Sequence, residues 1–417
     1  MTEAKTRTRK RTGLFALLAV IGPGIIAASA GNDSGGISTY SVAGAKYGYT
    51  MLWMMLAMTP SFAIVQEMAG RMGAVTGKGF SALIRERFGV RPTFFAMLML
   101  LASNAATTIA EFAGIAAAMQ LFGVSKYISV PIAAVVVWLL VVRGSYRNVE
   151  KVLLALSSVF IAYVIAAFLA KPDLGTVATA FVVPRIVPTQ AFIALAIGLT
   201  GTTIAPWMQF LVQSNIVDKG TTVKEWALAR WDVIVGAIAA NVIACFIIIT
   251  TATVLHPAGI EVTGAGEAAR ALAPLAGHYA EALFAIGLLS ASVLAAAVLP
   301  LTASYAICEA FGWESGLDRS WSEAPLFNGL YTFVILAGAA VILLPGLSLI
   351  AIMLVSQVVN GMLLPFLLIF MMIIINDRKI MGRHVNGPVN NVFAWTTIVV
   401  VITLTVLLLG MTLLGIG

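Results

Sequence analysis

Charged residues are scarce in this sequence: Lys, Arg, Asp and Glu together make up 10% of its 417 residues. Soluble globular domains carry about 25%, so the composition excludes an ordinary soluble protein. Cysteine occurs twice and histidine three times, with neither a CxxC pair nor a His/Cys cluster, which argues against a disulfide scaffold and a structural zinc site. The sequence also lacks a phosphate-binding loop and a nucleophile constellation. We therefore expect a protein that is not an enzyme and carries no cofactor.

Long hydrophobic runs are abundant instead. Hydrophobic residues make up 60% of the chain, and the mean hydropathy is +0.99. A membrane-spanning helix needs about 20 apolar residues, and eleven runs are long enough, which predicts an all-α, multi-pass membrane protein. The predicted spans are residues 14–46, 50–70, 93–121, 127–143, 150–170, 190–216, 229–254, 278–308, 327–345, 347–375 and 392–416. The odd number places the two chain ends on opposite sides of the bilayer.

The distribution of Lys and Arg predicts the orientation of these spans. With the N-terminus in the cytoplasm, 20 of the 25 basic residues fall in cytoplasmic segments, a strong positive-inside bias. The net charge of +7 is therefore a topology signal and does not indicate a nucleic-acid partner. Residues 1–13 are basic, but no small-residue cleavage site closes a short apolar region after them, which predicts a cytoplasmic N-terminus before an uncleaved first span. We expect an integral protein of the plasma (inner) membrane.

The first predicted span contains an acid and weak helix formers at bilayer depth. Residues 29–38 read SAGNDSGGIS, in which Asp33 is followed by Gly35 and Gly36. An Asp in the bilayer costs about 3 kcal/mol, and each glycine costs about 1 kcal/mol in a helix. Since folding alone explains neither, the pattern predicts a helix break that serves a function.

A second break is predicted in the sixth span. The stretch AIGLTGTTIAPWMQFLVQS contains Gly198, Gly201 and Pro206. Proline lacks the backbone N–H and clashes with the preceding turn, so the carbonyl groups from Thr202 to Ala205 are expected to be free of helical hydrogen bonds. Non-helical backbone at this depth is tolerated only where it faces protein or a wet cavity.

The two breaks divide the chain into equivalent halves. Each opens a set of five spans, residues 14–170 and residues 190–375, and residues 392–416 form an eleventh helix. Corresponding broken helices are typical of inverted-repeat transporters, whose binding site lies at the bilayer midplane. Residues 72–90 alternate basic and apolar residues at helical spacing and are expected to lie on the inner surface.

Six stretches resemble the NRAMP family of divalent-metal transporters. They are GPG at 22–24, D-x-G at 33–35, AGAKYGY at 43–49, AVTGKGFSALIRERFG at 74–89, TTIAEFAGIAAAMQLFG at 107–123 and SQVV…LPF at 356–366. They extend over spans 1 to 10. The resemblance implies a LeuT-like inverted repeat with broken helices 1 and 6 and a function in metal transport.

The resemblance also implies a metal site where an Asp-Pro-Gly-Asn break in span 1 faces a Met-Pro-His break in span 6. This sequence keeps Asp33 and Pro206. Other residues stand at the remaining family positions: Ser34 for Pro, Gly36 for Asn, Ala205 for Met, Trp207 for His, Thr108 for an acid of span 3 and Leu363 for a Gln of span 10. Glu111 is retained, and Asn360 lies one turn before Leu363.

These departures change the chemistry that the site offers. A Met thioether is a soft ligand that favours manganese, iron and later transition metals. Without it, the expected ligands are the Asp33 carboxylate, backbone carbonyls and water, and the smaller Gly36 and Ala205 are expected to enlarge the site. Mg²⁺ keeps several waters and binds through one or two carboxylates. The pattern is similar to the NRAMP-related magnesium transporter branch, which implies Mg²⁺ and Mn²⁺ as substrates.

The residues expected at the site fall into two groups. The predicted metal-site residues are Asp33, Gly36, Thr202, Ala205 and Asn360, and the predicted neighbours or pathway residues are Ser34, Trp207, Glu111 and Gln357. Some have equally simple structural interpretations. Glu111 is either a titrating pathway acid or a buried, hydrogen-bonded structural acid, and Trp207 is either a pathway residue or a space-filling one.

Three functions fit this sequence. The leading one is a carrier that imports Mg²⁺ and Mn²⁺ by alternating access without obligatory proton coupling, because neither Trp207 nor Thr108 can take a proton. The alternatives are a proton-coupled Mn²⁺/Fe²⁺ importer of the ordinary family type and an amino-acid symporter of the same architecture. An acid at the break favours a cation over an amino acid as the substrate.

The expected partners are the ion and the lipid bilayer, and we expect a monomer.

Overall fold

The computed structural model describes residues 32–142, 158–316 and 319–415, and the regular structure within those ranges is helical. Its α-helices are α1 (Ser34–Tyr47), α2 (Leu52–Thr76), α3 (Phe80–Phe88), α4 (Val90–Leu121), α5 (Lys126–Val142), α6 (Ala162–Leu169), α7 (Leu174–Val182), α8 (Gln190–Thr203), α9 (Pro206–Asp218), α10 (Val223–Val254), α11 (Ala265–Ala269), α12 (Ala273–Ala276), α13 (Ala280–Phe311), α14 (Pro325–Ile342), α15 (Leu349–Ile375), α16 (Arg378–Met381) and α17 (Pro388–Leu414). Short 3₁₀ turns lie at Gly48–Met51, Ser158–Ile161, Arg270–Leu272, Gly277–Tyr279 and Gly382–His384.

The prediction of an all-α membrane protein is confirmed, whereas the count of eleven spans is not. Eight helical segments of the described ranges are long and apolar enough to cross a bilayer: Ser34–Thr76, Val90–Leu121, Gln190–Asp218, Val223–Val254, Ala265–Phe311, Pro325–Leu343, Leu349–Ile375 and Pro388–Leu414. The predicted fourth span is the apolar helix α5, which has 17 residues. Residues 14–31 of the first span and 143–157 around the fifth lie outside the described residues. The boundaries of the two repeats stay a prediction.

The long helices pack in two sets, and α8 joins the sets by packing on both α1 and α15. In the first, α10 packs along both α1 and α2, and α9 packs on α2. In the second, α4 packs along both α13 and α15. The pairs α2–α10 and α4–α13 correspond to spans 2 and 7 and to spans 3 and 8, so equivalent helices of the two predicted halves lie against each other. This arrangement is expected for an inverted repeat.

Helix α8 approaches α15 very closely at two glycines. A Cβ at Gly201 would lie 2.8 Å from the Gly361 Cα and would overlap the Gln357 carbonyl oxygen. A Cβ at Gly361 would in turn overlap the Ile197 carbonyl oxygen. Small residues allow helix backbones to touch inside a membrane. As a result, Gln357 is held beside the break in the sixth span.

Helix α3 forms the amphipathic part of the predicted segment 72–90. It buries Phe80, Leu83 and Ile84 and exposes Glu86 and Arg87. The residues up to Thr76 belong to α2 instead. The predicted amphipathic helix is therefore confirmed over its second half only.

The start of α3 is fixed by two helices from the other half of the chain. The Glu309 carboxylate, near the end of α13, accepts hydrogen bonds from the Gly79 N–H at 2.9 Å and from the Ser81 hydroxyl. The Gln213 side-chain amide of α9 donates to the Lys78 carbonyl oxygen at 2.8 Å. Helix α9 is the second half of the broken sixth span. The loop before α3 is therefore hydrogen-bonded to the helix that follows the break.

Candidate metal-ion site

The break in the first span lies immediately before α1. Asp33 has an extended backbone (φ −72°, ψ 176°), and its Oδ1 accepts a hydrogen bond from the Gly36 N–H at 2.6 Å. This is N-capping, which satisfies one of the free N–H groups of a helix start. The structure shows a helix that begins directly after Asp33, with Gly35 and Gly36 in its first turn rather than in a non-helical stretch. Because the residues before Asn32 lie outside the described ranges, the break in the first span stays a prediction.

The break in the sixth span separates α8 from α9. Ile204 is the last residue to donate back into α8, to the Thr200 carbonyl at 2.9 Å. Ala205 is extended, and Pro206 begins α9 without an N–H to donate. Among the described residues, the carbonyl oxygens of Thr202 and Ile204 therefore accept no backbone hydrogen bond. The predicted free carbonyls are therefore present at Thr202 and Ile204, whereas the Ala205 carbonyl accepts the Met208 N–H at 3.1 Å and departs from the prediction.

The two breaks meet at Gly36 and Thr202. A Cβ at Gly36 would lie 2.7 Å from Thr202 Oγ1 and 3.2 Å from Asp33 Oδ1. Thr202 Oγ1 is buried and makes no well-formed hydrogen bond to the described residues. The structure thus brings together Asp33, Gly36 and Thr202, as the sequence predicted. It corrects the expectation that Gly36 enlarges the site, because the Thr202 hydroxyl occupies the space where a side chain at Gly36 would lie.

Glu111 is joined to the first break through Ser34. The Ser34 N–H donates to Glu111 Oε2 at 3.3 Å, and Ser34 Oγ lies 2.9 Å from both that oxygen and the Ala110 carbonyl oxygen. A carboxylate at a helix N-terminus is stabilised by the free N–H groups there. Glu111 therefore lies directly beside Asp33 and is hydrogen-bonded through Oε2, and the choice between a structural and a titrating role stays open.

Gln357 and Asn360 occupy different positions on α15. Gln357 abuts the first turn of α1, where a Cβ at Gly35 would overlap its side-chain nitrogen. Asn360 lies in a polar network with α4: its Oδ1 accepts from the Ser103 hydroxyl at 2.6 Å, and its Nδ2 donates to Thr107 Oγ1 at 2.8 Å. The same Nδ2 donates to Gln357 Oε1 at 3.1 Å. The Asn360 oxygen is thus engaged by Ser103, and its role as a metal ligand stays a prediction.

The two residues at the Met and His positions of the family are both buried. Ala205 precedes Pro206 and contributes only a methyl group to the site. Trp207 lies in an apolar cluster with Leu299 and Leu364, and its indole N–H has no hydrogen-bond partner among the described residues. The choice between a space-filling and a pathway role for Trp207 stays open.

A small cavity beside the second break contains residues that sequence reasoning missed. About 10 Å³ of it is open to the centre of a water molecule, room for about one water. Its lining includes Asn32, Tyr40, Thr202, Met208 and Asn241. Met208 lies one helical turn after Ala205, so helical periodicity could have identified it as a second thioether position. No local signal marked Asn241, which lies in the seventh span.

A helix that begins at a carboxylate, facing a second span that is interrupted where carbonyl oxygens are free, is the arrangement expected of a secondary transporter of inverted-repeat architecture. Residues 24–410 match the sequence profile of the family described as Nramp, natural resistance-associated macrophage protein-like. The chain belongs to this family, which confirms the identification made from the sequence motifs. Its members are transporters and not enzymes.

Individual relatives show the same relationship. The chain is 29% identical over 408 residues to the protein named divalent metal cation transporter MntH of Deinococcus radiodurans, covering 94% of this chain and 89% of that protein. It is similar in fold to the Eremococcus coleocola manganese transporter in complex with an aromatic bis-isothiourea substituted compound, with a TM-score of 0.74, 22% identity and coverage of 99% and 88% of the two chains. It is also similar to MhsT in complex with L-phenylalanine, with a TM-score of 0.62, 16% identity and coverage of 93% and 98%. These structural likenesses support the LeuT-like fold and show the fold alone.

Proposed function

We propose that this protein imports divalent metal ions, Mg²⁺ together with Mn²⁺, across the plasma membrane by alternating access, as a monomer with its N-terminus in the cytoplasm. The observation that carries this proposal is the meeting of the two breaks, where the Asp33 carboxylate lies beside Gly36 and the buried Thr202 hydroxyl. A cation entering there would find a fixed anion and backbone carbonyls. Hard cations prefer such oxygen ligands.

The ligand set at the break supports Mg²⁺ as a substrate. Ala205 offers no sulfur at the position that follows the free carbonyls, and the Asp33 carboxylate supplies the negative charge. Mg²⁺ binds through one or two carboxylates and retains several waters. In this proposal the Thr202 hydroxyl contacts the ion or one of its waters.

Transport without obligatory proton coupling is supported by the groups around the break. Trp207 is packed among apolar side chains, and Thr108 donates its hydroxyl to the Asn104 carbonyl of its own helix at 2.7 Å. Neither offers a site for a proton. The membrane potential is a sufficient driving force, because a divalent ion crossing 100 mV gains about 4.6 kcal/mol.

One observation favours a second candidate, a proton-coupled manganese importer of the ordinary family type. Met208 lines the small cavity next to Thr202, and a thioether is a ligand that favours manganese and later transition metals. The Deinococcus and Eremococcus relatives are named as divalent metal and manganese transporters. In this alternative Glu111 would be the titrating acid.

The test is ion uptake into proteoliposomes that contain a pH-sensitive dye. Mg²⁺ and Mn²⁺ influx are measured separately under a clamped potassium diffusion potential. We expect uptake of both ions to grow as the interior is made more negative, with no acidification of the lumen. Acidification that follows metal influx under the clamp would refute the uncoupled mechanism, and Mn²⁺ uptake without Mg²⁺ uptake would refute the proposed substrate.

A further inference from the structure

A surface pocket lies at the end of the bundle that is cytoplasmic in the proposed orientation. It has a volume of about 610 Å³ and lies between the end of α3 and the turn from α15 to α16. Arg87, Arg378 and Lys379 contribute its positive charges. We propose that this pocket binds the headgroup of one anionic phospholipid of the adjoining leaflet. The proposal is independent of which ion the protein transports.

The acids that line the pocket are neutralised by neighbouring cations. Glu86 forms an ion pair with Lys78 at 2.6 Å, and Asp377 forms one with Arg87 at 2.8 Å. Arg378 and Lys379 are exposed and take part in no ion pair with another described residue. The pocket therefore has an excess of unpaired positive charge. This charge repels a metal ion and is complementary to a phosphate group.

An apolar surface continues from this pocket along the membrane-spanning part of α15. Phe366, Phe370 and Ile373 follow one another at spacings of four and three residues, so they share one face of the helix. Phe366 is 44% exposed and Ile373 is 39% exposed. Ile373 also lines the pocket itself. A molecule that contacts both surfaces must have an anionic end and an apolar chain.

Aromatic side chains of the neighbouring helices support the same face. Phe88, at the end of α3, packs edge-on against Phe370 with ring centroids 5.0 Å apart, and Phe95 of α4 packs against Phe366 at 5.8 Å. These contacts hold α15 against α3 and α4 below the charged pocket. The charged pocket and the apolar face together fit a phospholipid better than a free phosphate ion, because a free ion would leave the apolar face uncovered.

Each cationic side chain near an anionic membrane surface raises the binding affinity about fivefold. The double variant Arg378→Gln/Lys379→Gln is therefore expected to weaken lipid binding by about 25-fold. The matched control is Lys219→Gln/Lys224→Gln, which removes the same charge from two exposed residues outside the pocket. Both pairs are exposed, so neither change is expected to disturb folding.

The experiment measures lipid retained by the purified full chain in native mass spectrometry, after titration with phosphatidylglycerol or with phosphatidylcholine. We expect the wild type and the control variant to retain one phosphatidylglycerol in preference to phosphatidylcholine, and the pocket variant to lose this preference. Equal retention of the two lipids by the wild type would overturn the proposal, as would an unchanged preference in the pocket variant. Protection of the wild type against thermal unfolding by inorganic phosphate to the same extent as by phosphatidylglycerol would show a free-anion site instead, which also overturns it.

Discussion

Asp33 caps α1 in the structure and supplies the negative charge in the proposed function, and two substitutions distinguish the cap from the charge. Its side chain accepts the Gly36 N–H at 2.6 Å, and we propose that its charge attracts the ion beside Gly36 and Thr202. Asp33→Asn removes the charge but keeps an oxygen for the cap, because Asn and Asp are about equally good N-cap residues. Asp33→Ala removes both.

The size of the expected effect follows from the charge. Two unit charges 4 Å apart attract each other by about 4 kcal/mol at an effective permittivity of about 20, so a divalent ion would gain about 8 kcal/mol from one carboxylate. If desolvation of the carboxylate and the ion offsets half of this, about 4 kcal/mol remains, a factor of about a thousand in affinity. The cap contributes about 1 kcal/mol to stability.

We therefore expect Asp33→Asn to abolish uptake at ion concentrations near the wild-type KM while leaving thermal stability unchanged. Asp33→Ala is expected to abolish uptake as well and to lower the free energy of unfolding by about 1 kcal/mol. The measurements are Mg²⁺ and Mn²⁺ uptake into proteoliposomes, ion binding by calorimetry, and thermal unfolding in detergent. Glu261→Gln, which neutralises an exposed acid of the loop after α10, is the matched control.

Uptake by Asp33→Asn at more than about half of the wild-type rate, with ion affinity within about tenfold of the wild type, would contradict a direct contact between Asp33 and the ion. The attraction estimated above makes such a result incompatible with a carboxylate that contacts the ion. Loss of uptake in the Glu261→Gln control would show instead that the assay responds to any loss of negative charge.

Three further changes test other parts of the structure. Ala205→Met introduces a thioether at the second break, so Mn²⁺ and Cd²⁺ uptake should rise relative to Mg²⁺ uptake; an unchanged ratio in competition assays would contradict the ligand-softness argument. Gly36→Asn should reduce uptake of both ions, because its Cβ would lie 2.7 Å from Thr202 Oγ1; a selective loss of Mg²⁺ uptake would show that the site has more room than the structure indicates. Glu309→Ala should increase amide hydrogen exchange in α3 and lower the free energy of unfolding by about 1–3 kcal/mol, because the Gly79 N–H loses its hydrogen-bond partner. Unchanged exchange in α3 would contradict this anchoring role.

Local residue patterns were enough to predict the fold class, the helix start at Asp33, the break at Pro206 and the family. Each depends on information that is local in the chain: the length of an apolar run, an acid followed by glycines at 33–36, or a proline at 206. Helix interruption follows from the residues at the interruption, because proline removes a hydrogen-bond donor wherever it stands. The motifs that identify the family are likewise contiguous.

The contacts between distant side chains could be seen only once the helices were packed. Ser34 and Glu111 are 77 positions apart, and no pattern within either segment indicates that the Ser34 hydroxyl donates a hydrogen bond to the Glu111 carboxylate. The same holds for the contact of Gly36 with Thr202 and for the cavity that adds Met208 and Asn241 to the site. The physical reason is that helix packing sets these distances: a shift of one residue along a helix turns a side chain by about 100°, so contacts between distant segments depend on the packed register of the helices.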